Sequence, residues 1–139
     1  MEDIKALSQV GEFHSTFSHP ILDTPTIPSL ERCSLRVSLL SEELDELKVA
    51  IANNDIIEVA DAFCDLQYVL AGAILEFGLG EKFKGLFDEV HRSNMSKACI
   101  SIEEAEATIL KYQNEGIECY YLEKESRFLI YRSSDNKVM

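Results

Sequence analysis

Two consecutive helical patterns joined by a short break constrain the fold of this chain most. From Leu30 to Ile51, apolar residues recur at alternating steps of three and four and form a single stripe of Leu30, Cys33, Val37, Leu40, Leu44, Leu47 and Ile51. Ser29 can cap this helix. Asn53-Asn54 breaks it, and the capping-box pattern Asp55-Ile-Ile-Glu58 opens a further helix that runs to about Phe77. Such closely linked helices must lie antiparallel.

The rest of the chain up to Gly116 also favours helices. Apolar residues within 1–17 are at helical spacing. All three prolines fall within 18–29, which predicts a crossing loop or a linker. Residues 81–97 form a fourth amphipathic segment, and a second capping box at Ser101 opens a helix that ends at Gly116. The patterns predict an all-α fold with a core of the four-helix-bundle type.

The last part of the chain differs in character. Residues 117–132 are rich in Tyr, Ile, Phe and Cys, and the polar segment 123–126 divides them into two short runs, which predicts a small β-hairpin. We therefore expect a helical domain over residues 1–116 and a hairpin with its tail over 117–139. The hairpin could cover an active site, extend an oligomer interface or cap the bundle.

Charge and composition exclude several classes of function. The 139 residues carry a formal net charge of -12, which opposes binding to a nucleic-acid polymer or to an anionic membrane surface. The sequence shows no export signal and no membrane span, and its four cysteines lack zinc-finger spacing. We expect a cytoplasmic protein whose cysteines are buried free thiols.

The two central helices also carry a second stripe, and this stripe is acidic. Glu42, Glu43 and Glu46 lie on the first helix, while Glu58, Asp61 and Asp65 follow steps of three and four on the second, with Tyr68 continuing the line. A solvated face usually intersperses both signs of charge, but no Lys or Arg occurs between Asn53 and Gly80. Carboxylates converging from two helices suit a hard divalent ion, with Mg²⁺ or Mn²⁺ preferred.

These motifs resemble a known family. Glu42-Glu43-Leu-Asp-Glu46 followed by Glu58-Val-Ala-Asp61 is similar to the Glu-Glu-x-x-Glu and Glu-x-x-Asp signature of the all-α nucleotide pyrophosphohydrolases, the MazG-like and phosphoribosyl-ATP pyrophosphohydrolase-like proteins. The segment 89–97 also resembles the stretch in which those proteins supply an Asn and a Lys to the substrate. The resemblance spans about residues 8–97.

The resemblance implies Mg²⁺-dependent hydrolysis of a nucleoside triphosphate between its α and β phosphates, giving a monophosphate and pyrophosphate, with Mn²⁺ a possible substitute. Carried over by position, the metal ligands are Glu43, Glu46, Glu58 and Asp61. Glu42 is a candidate general base or a further ligand, so that Glu42 and Glu43 are the candidate catalytic pair.

The resemblance also implies substrate-binding positions. Asp65 and Tyr68 are directed towards the sugar or the base, although a buried hydrogen-bonded pair is an alternative for them. Asn94 and Lys97 would hold phosphate oxygens. Arg36 would do the same, with an ion pair to a nearby Glu equally compatible. His14 and Phe17 stand where related proteins contact substrate, but core packing is favoured for both.

Three functions stay open on the sequence. The first is a nucleotide-pool pyrophosphohydrolase, and the second is the same chemistry on phosphoribosyl-ATP in histidine biosynthesis. The third is a metal-dependent nucleotide-binding or regulatory module without turnover. The family resemblance further implies a homodimer, or a dimer of dimers, with active sites between subunits. The identity of the nucleotide is not determined by these residues.

Overall fold

The chain folds into two compact units in the computed structural model, which describes residues 2–139. The first unit ends at Lys84, and the second comprises residues 85–139. The described residues form five helices and three short strands, so the protein is mostly helical with a small antiparallel sheet near its C-terminus. No single helix within residues 2–139 is long and apolar enough to cross a membrane.

Three helices build the first unit: α1 (Ala6–Thr16), α2 (Leu30–Ala52) and α3 (Ile56–Glu76). Helix α3 packs on both of the others. A small apolar core between α1 and α3 contains the buried side chains of Val10, Ala71 and Leu75. A fourth helix, α4 (Gly80–Met95), begins in this unit and continues into the second.

The boundaries of α2 and α3 follow from local capping. The Ser29 hydroxyl accepts a hydrogen bond from the Arg32 amide, and the Asp55 carboxylate accepts from the amides of Ile57 and Glu58. Both caps satisfy amides that have no partner within the helix. Asn54 adopts a positive φ of 54°, which allows the tight turn between the helices. The predicted bounds of both helices are confirmed to within a residue.

The proline-rich segment is an ordered crossing loop that is fastened to the end of α3. The Leu22 amide donates to the Leu75 carbonyl, and the Thr26 amide donates to the Phe77 carbonyl. Gly78 has a φ of 68°, and a Cβ built there would lie 1.9 Å from the Thr24 carbonyl oxygen. The loop therefore crosses at a distance that only glycine permits.

The second unit packs one helix on a three-stranded sheet. Helix α5 (Ile102–Asn114) covers strands β1 (Ala98–Cys99), β2 (Cys119–Lys124) and β3 (Arg127–Arg132), which are ordered β1-β3-β2 with antiparallel pairing. Its core is formed by Cys99, Ala105, Phe128 and Ile130. The predicted hairpin is present, but the sheet has a third strand. Helix α5 is expected in the helical domain over residues 1–116, but it packs on the sheet.

The cysteines are all free thiols. Cys99 is buried, whereas Cys33 and Cys119 are half-buried and Cys64 is exposed. The expectation that all four are buried is therefore wrong for Cys64, which lies on the solvent side of α3.

Candidate active site

An acidic cleft of about 750 Å³ lies between α2 and α3. Its lining includes five carboxylates from the two helices: Glu42, Asp45, Glu46, Glu58 and Asp61. The turn between the helices closes one end with Asn53 and Asp55. The antiparallel arrangement therefore brings residues of both predicted acidic motifs to one cleft. Two neutral polar residues of α2, Ser38 and Ser41, also line it.

Glu43, between Glu42 and Glu46 in the predicted motif, does not line this cleft and is half-buried. Burial raises the pKa of the Glu43 carboxyl, and the negative charges of Asp65, Glu46, Glu42 and Asp61 raise it further. Each of those four carboxylates is therefore close enough to Glu43 to repel its negative charge. A cationic ligand would relieve this repulsion.

Of the basic side chains of α2, only Lys48 pairs with a carboxylate of the cleft. Lys48 forms an ion pair with Asp45 at 2.8 Å, and both side chains are well exposed. Arg32 and Arg36 bind a different acid, Glu76, and α3 contains no Lys or Arg. Apart from Asp45, the carboxylates of the cleft have no salt bridge to a basic residue among residues 2–139.

The carboxylates that line the acidic cleft are exposed to solvent. Glu42, Glu46, Glu58 and Asp61 are exposed, and no group of three or more His, Cys, Asp and Glu side chains within residues 2–139 is arranged so that it could hold a metal ion. The donor set consists of carboxylate oxygens alone, which is the chemistry that Mg²⁺ and Mn²⁺ prefer.

Arg36 is buried in a charged network at the other end of the α2–α3 contact. Its Nε donates to Glu76 Oε2 at 2.5 Å, and Arg32 donates to both oxygens of the same carboxylate. The Arg36 Nη2 lies 3.4 Å from His14 Nε2. Of the alternatives for Arg36, an ion pair is present, but its partner is Glu76, forty residues away.

Glu76 and Arg32 are the residues of this network that the sequence analysis missed. Burial opposes the charge of Glu76, but the hydrogen bonds from Arg32 and Arg36 outweigh it and lower the pKa of this carboxyl below its ordinary value. Glu76 lies four residues after Gly72, so it continues the polar line Asp61, Asp65, Tyr68 and Gly72 by one more turn. Extending that line would have found it.

The remaining candidates lie at different places. Asp65 is half-buried beside Glu43, while Tyr68 is 41% exposed, so a buried pair of Asp65 and Tyr68 is wrong for Tyr68. His14 is 3% exposed, which confirms core packing, but Phe17 is 62% exposed, which contradicts it.

Asn94 and Lys97 belong to the second unit. Asn94 is in the last turn of α4, and the Lys97 amide donates to the Asn94 carbonyl at 3.3 Å in the turn that follows. Both side chains are exposed. Their predicted role at phosphate oxygens stays a prediction.

Comparison with known proteins gives two results. Residues 10–94, more than half of the chain, match the model of a family described as phosphoribosyl-ATP pyrophosphohydrolase. The match includes α2, α3 and most of α4 and ends before α5 and the sheet. The chain is also 32% identical over 96 residues to the uncharacterized protein L479 of Acanthamoeba polyphaga mimivirus, an alignment that covers 63% of this chain and 37% of that protein.

Proposed function

Because the chain belongs to the phosphoribosyl-ATP pyrophosphohydrolase family, we propose that it is a nucleoside triphosphate pyrophosphohydrolase that cleaves the anhydride between the α and β phosphates. The products are a nucleoside monophosphate and pyrophosphate. The observation that carries this proposal is the group of carboxylates around Glu43 and along the acidic cleft, of which only Asp45 pairs with a basic residue among residues 2–139. A negatively charged triphosphate can approach such a cleft only together with cations.

The acidic cleft fits Mg²⁺, or Mn²⁺ in its place, by the chemistry of its oxygen donors. Glu43, Glu46, Glu58 and Asp61 would hold the ion, and the last three of these side chains are exposed. When bound, the ion would neutralise phosphate charge and lower the pKa of water. Glu42, which lines the cleft from α2, would accept the proton of the attacking water.

Substrate contacts would come from several places. Asp65 and Tyr68 follow Asp61 along α3, so they would face the sugar and base of a nucleotide whose phosphates lie at the cleft. Asn94 and Lys97 would bind phosphate oxygens, with Lys97 stabilising the leaving pyrophosphate. Arg36, which donates a hydrogen bond to Glu76, would contact the substrate from its position between α2 and α3.

A second copy of the chain would complete the bundle. Large apolar side chains are exposed on α2 and α3, including Val37 at 66%, Phe63 at 56% and Ile56 at 76%. Such a surface supports a homodimer, or a dimer of dimers. Size-exclusion chromatography with light scattering should give at least about twice the 15.7 kDa of one chain, and a mass of one chain would refute this part of the proposal.

Hydrolysis of phosphoribosyl-ATP is an equally consistent second candidate, since the family model carries that description. A single experiment separates the two. The protein is incubated with Mg²⁺ and each of a panel of ribo- and deoxyribonucleoside triphosphates, or with phosphoribosyl-ATP, and the products are identified by phosphorus NMR.

Metal-dependent formation of pyrophosphate and a monophosphate from a nucleoside triphosphate would support the main proposal. Turnover of phosphoribosyl-ATP alone would favour the second candidate. Release of orthophosphate instead of pyrophosphate would refute both. No turnover of any compound would also refute both and would favour a binding module without catalysis.

A further inference from the structure

A second, smaller pocket of about 220 Å³ lies within the first unit, between α1, α2 and α3. It combines aromatic rings with one guanidinium group, and its lining includes Phe13, His14, His19, Arg36, Tyr68 and Gly72. None of these residues lines the acidic cleft. The pocket and the acidic cleft share one face of α3. Tyr68 and Gly72 of the pocket lie on the same face of this helix as Asp61 and Asp65.

Aromatic rings form the outer part of the pocket. Phe13 and His19 are stacked with 14° between their planes, and the Tyr68 ring meets Phe13 at 77°. Phe13 is 37% exposed and Tyr68 41% exposed, although both are large aromatic rings. Exposed rings set at right angles form a corner in which another flat ring can stack.

The inner end of the pocket is polar and carries positive charge. Arg36 is 7% exposed, and the two guanidinium groups of Arg32 and Arg36 share the single carboxylate of Glu76, which leaves one net positive charge. His14 adds none, because burial lowers its pKa. Its Nδ1 is 2.9 Å from the Pro20 carbonyl oxygen, which can only accept, so Nδ1 carries the hydrogen.

Arg36 keeps donors for a ligand. Of its five N–H groups, one binds Glu76 and one faces the free Nε2 of His14. The Nη1 of Arg36 makes no hydrogen bond within the described residues. Since every fully buried side-chain nitrogen among these residues has a hydrogen-bond partner, Nη1 must be accessible to solvent. A Cβ at Gly72 would lie 2.9 Å from Nη1, so the missing side chain at this position leaves room for the guanidinium.

We infer that this pocket binds the nucleobase of the substrate and selects bases that direct a carbonyl oxygen at Arg36. The ring would stack against Tyr68 and Phe13 while the guanidinium donates to the oxygen. An adenine amino group in the same place would meet another donor and leave both unpaired. The inference rests on the proposed function, because it assumes that the nucleotide's phosphates lie at the acidic cleft.

The test compares two nucleotides that differ at one position. Inosine triphosphate has an oxygen at position 6 of the purine, and ATP has an amino group there. The ratio of their kcat/KM values is measured by pyrophosphate release with Mg²⁺. Binding of the corresponding monophosphates is measured separately by calorimetry, which does not depend on turnover.

We expect the wild-type protein to favour the inosine nucleotide by about ten- to a hundredfold in both measurements, as for a hydrogen bond to a charged group. Arg36→Lys keeps the charge but loses the planar fork, so the preference should fall below about threefold. Tyr68→Leu should weaken binding of both nucleotides by about tenfold and leave their ratio unchanged. Tyr120→Leu, in the second unit, is the control and should change neither.

Equal values for the two nucleotides with the wild-type protein would overturn the inference, and this result needs no variant to fold. Retention of the preference in a folded Arg36→Lys protein would overturn it as well. Absence of pyrophosphate from every nucleotide, combined with tighter binding of inosine monophosphate, would refute the proposed reaction while supporting the pocket.

Discussion

Replacing Glu76 by Gln would test whether the buried charge network holds the three helices of the first unit together. Glu76 is 1% exposed and accepts from Arg32 and Arg36, whose guanidinium groups lie on α2. Glutamine keeps the shape of the side chain but removes its charge. Arg36, at 7% exposure, would then remain buried with no opposite charge beside it.

The expected cost follows from this burial. Removing one partner of a buried ion pair destabilises a protein by about 3–5 kcal/mol, because the other charge stays buried without compensation. A domain of this size is stable by roughly 5–15 kcal/mol, so the loss is a large fraction of the total. Urea unfolding followed by circular dichroism should show the midpoint lowered by about 2 M at constant protein concentration.

The matched control is Glu89→Gln on α4. Glu89 also pairs with an arginine, Arg92, but that pair is at the surface, with side chains 70% and 61% exposed, and its removal should leave the midpoint unchanged. If Glu76→Gln and Glu89→Gln unfold at the same urea concentration as the wild type, the buried network does not stabilise the fold and the reasoning is wrong.

Three further predictions concern stability. The hydrogen bonds that lower the pKa of Glu76 favour its charged form, so their contribution to the free energy of unfolding is complete above about pH 4.5 and is lost as the pH falls below that value. Acid titration should show this loss of stability in the wild type and a smaller loss in Glu76→Gln. Gly72→Ala places a methyl group 2.9–3.0 Å from the side chains of Arg36 and His14 and should destabilise the protein by about 1–3 kcal/mol. Gly11→Ala, whose methyl group would lie 3.9 Å from its nearest neighbour, should be neutral or stabilising. A Gly72→Ala protein that is more stable than the wild type in thermal unfolding would contradict the packing. Gly78→Ala should be more destabilising than Gly116→Ala, because both have positive φ but only Gly78 faces a backbone oxygen; equal melting temperatures would refute this.

The helices of the first unit could be predicted because their determinants are local. The apolar stripe of α2, the Ser29 cap and the Asp55 cap all lie within a few residues of the boundaries that they set. The acidic motifs were placed correctly on adjacent helices for the same reason, since a short turn leaves antiparallel packing as the only arrangement.

Pairings between distant residues could not be predicted in this way. Arg32 and Glu76 are 44 positions apart, and nothing within either helix indicates that the two side chains pair with each other. Strand β1 has only two residues and becomes a strand because it pairs with Leu129 and Phe128 of β3. A pattern two residues long carries no periodicity, so the three-stranded sheet required the folded chain.

Two substitutions in the acidic cleft test whether it binds the metal ion of a pyrophosphohydrolase. Glu46→Gln and Asp45→Asn each remove one negative charge from neighbouring positions that line the cleft, but only Glu46 is a proposed metal ligand. Pyrophosphate release is measured at saturating Mg²⁺ with the best nucleotide. We expect a loss of at least about a hundredfold for Glu46→Gln and a change of less than about threefold for Asp45→Asn. Equal effects of the two substitutions would contradict this expectation, since the cleft would then act only through its overall charge.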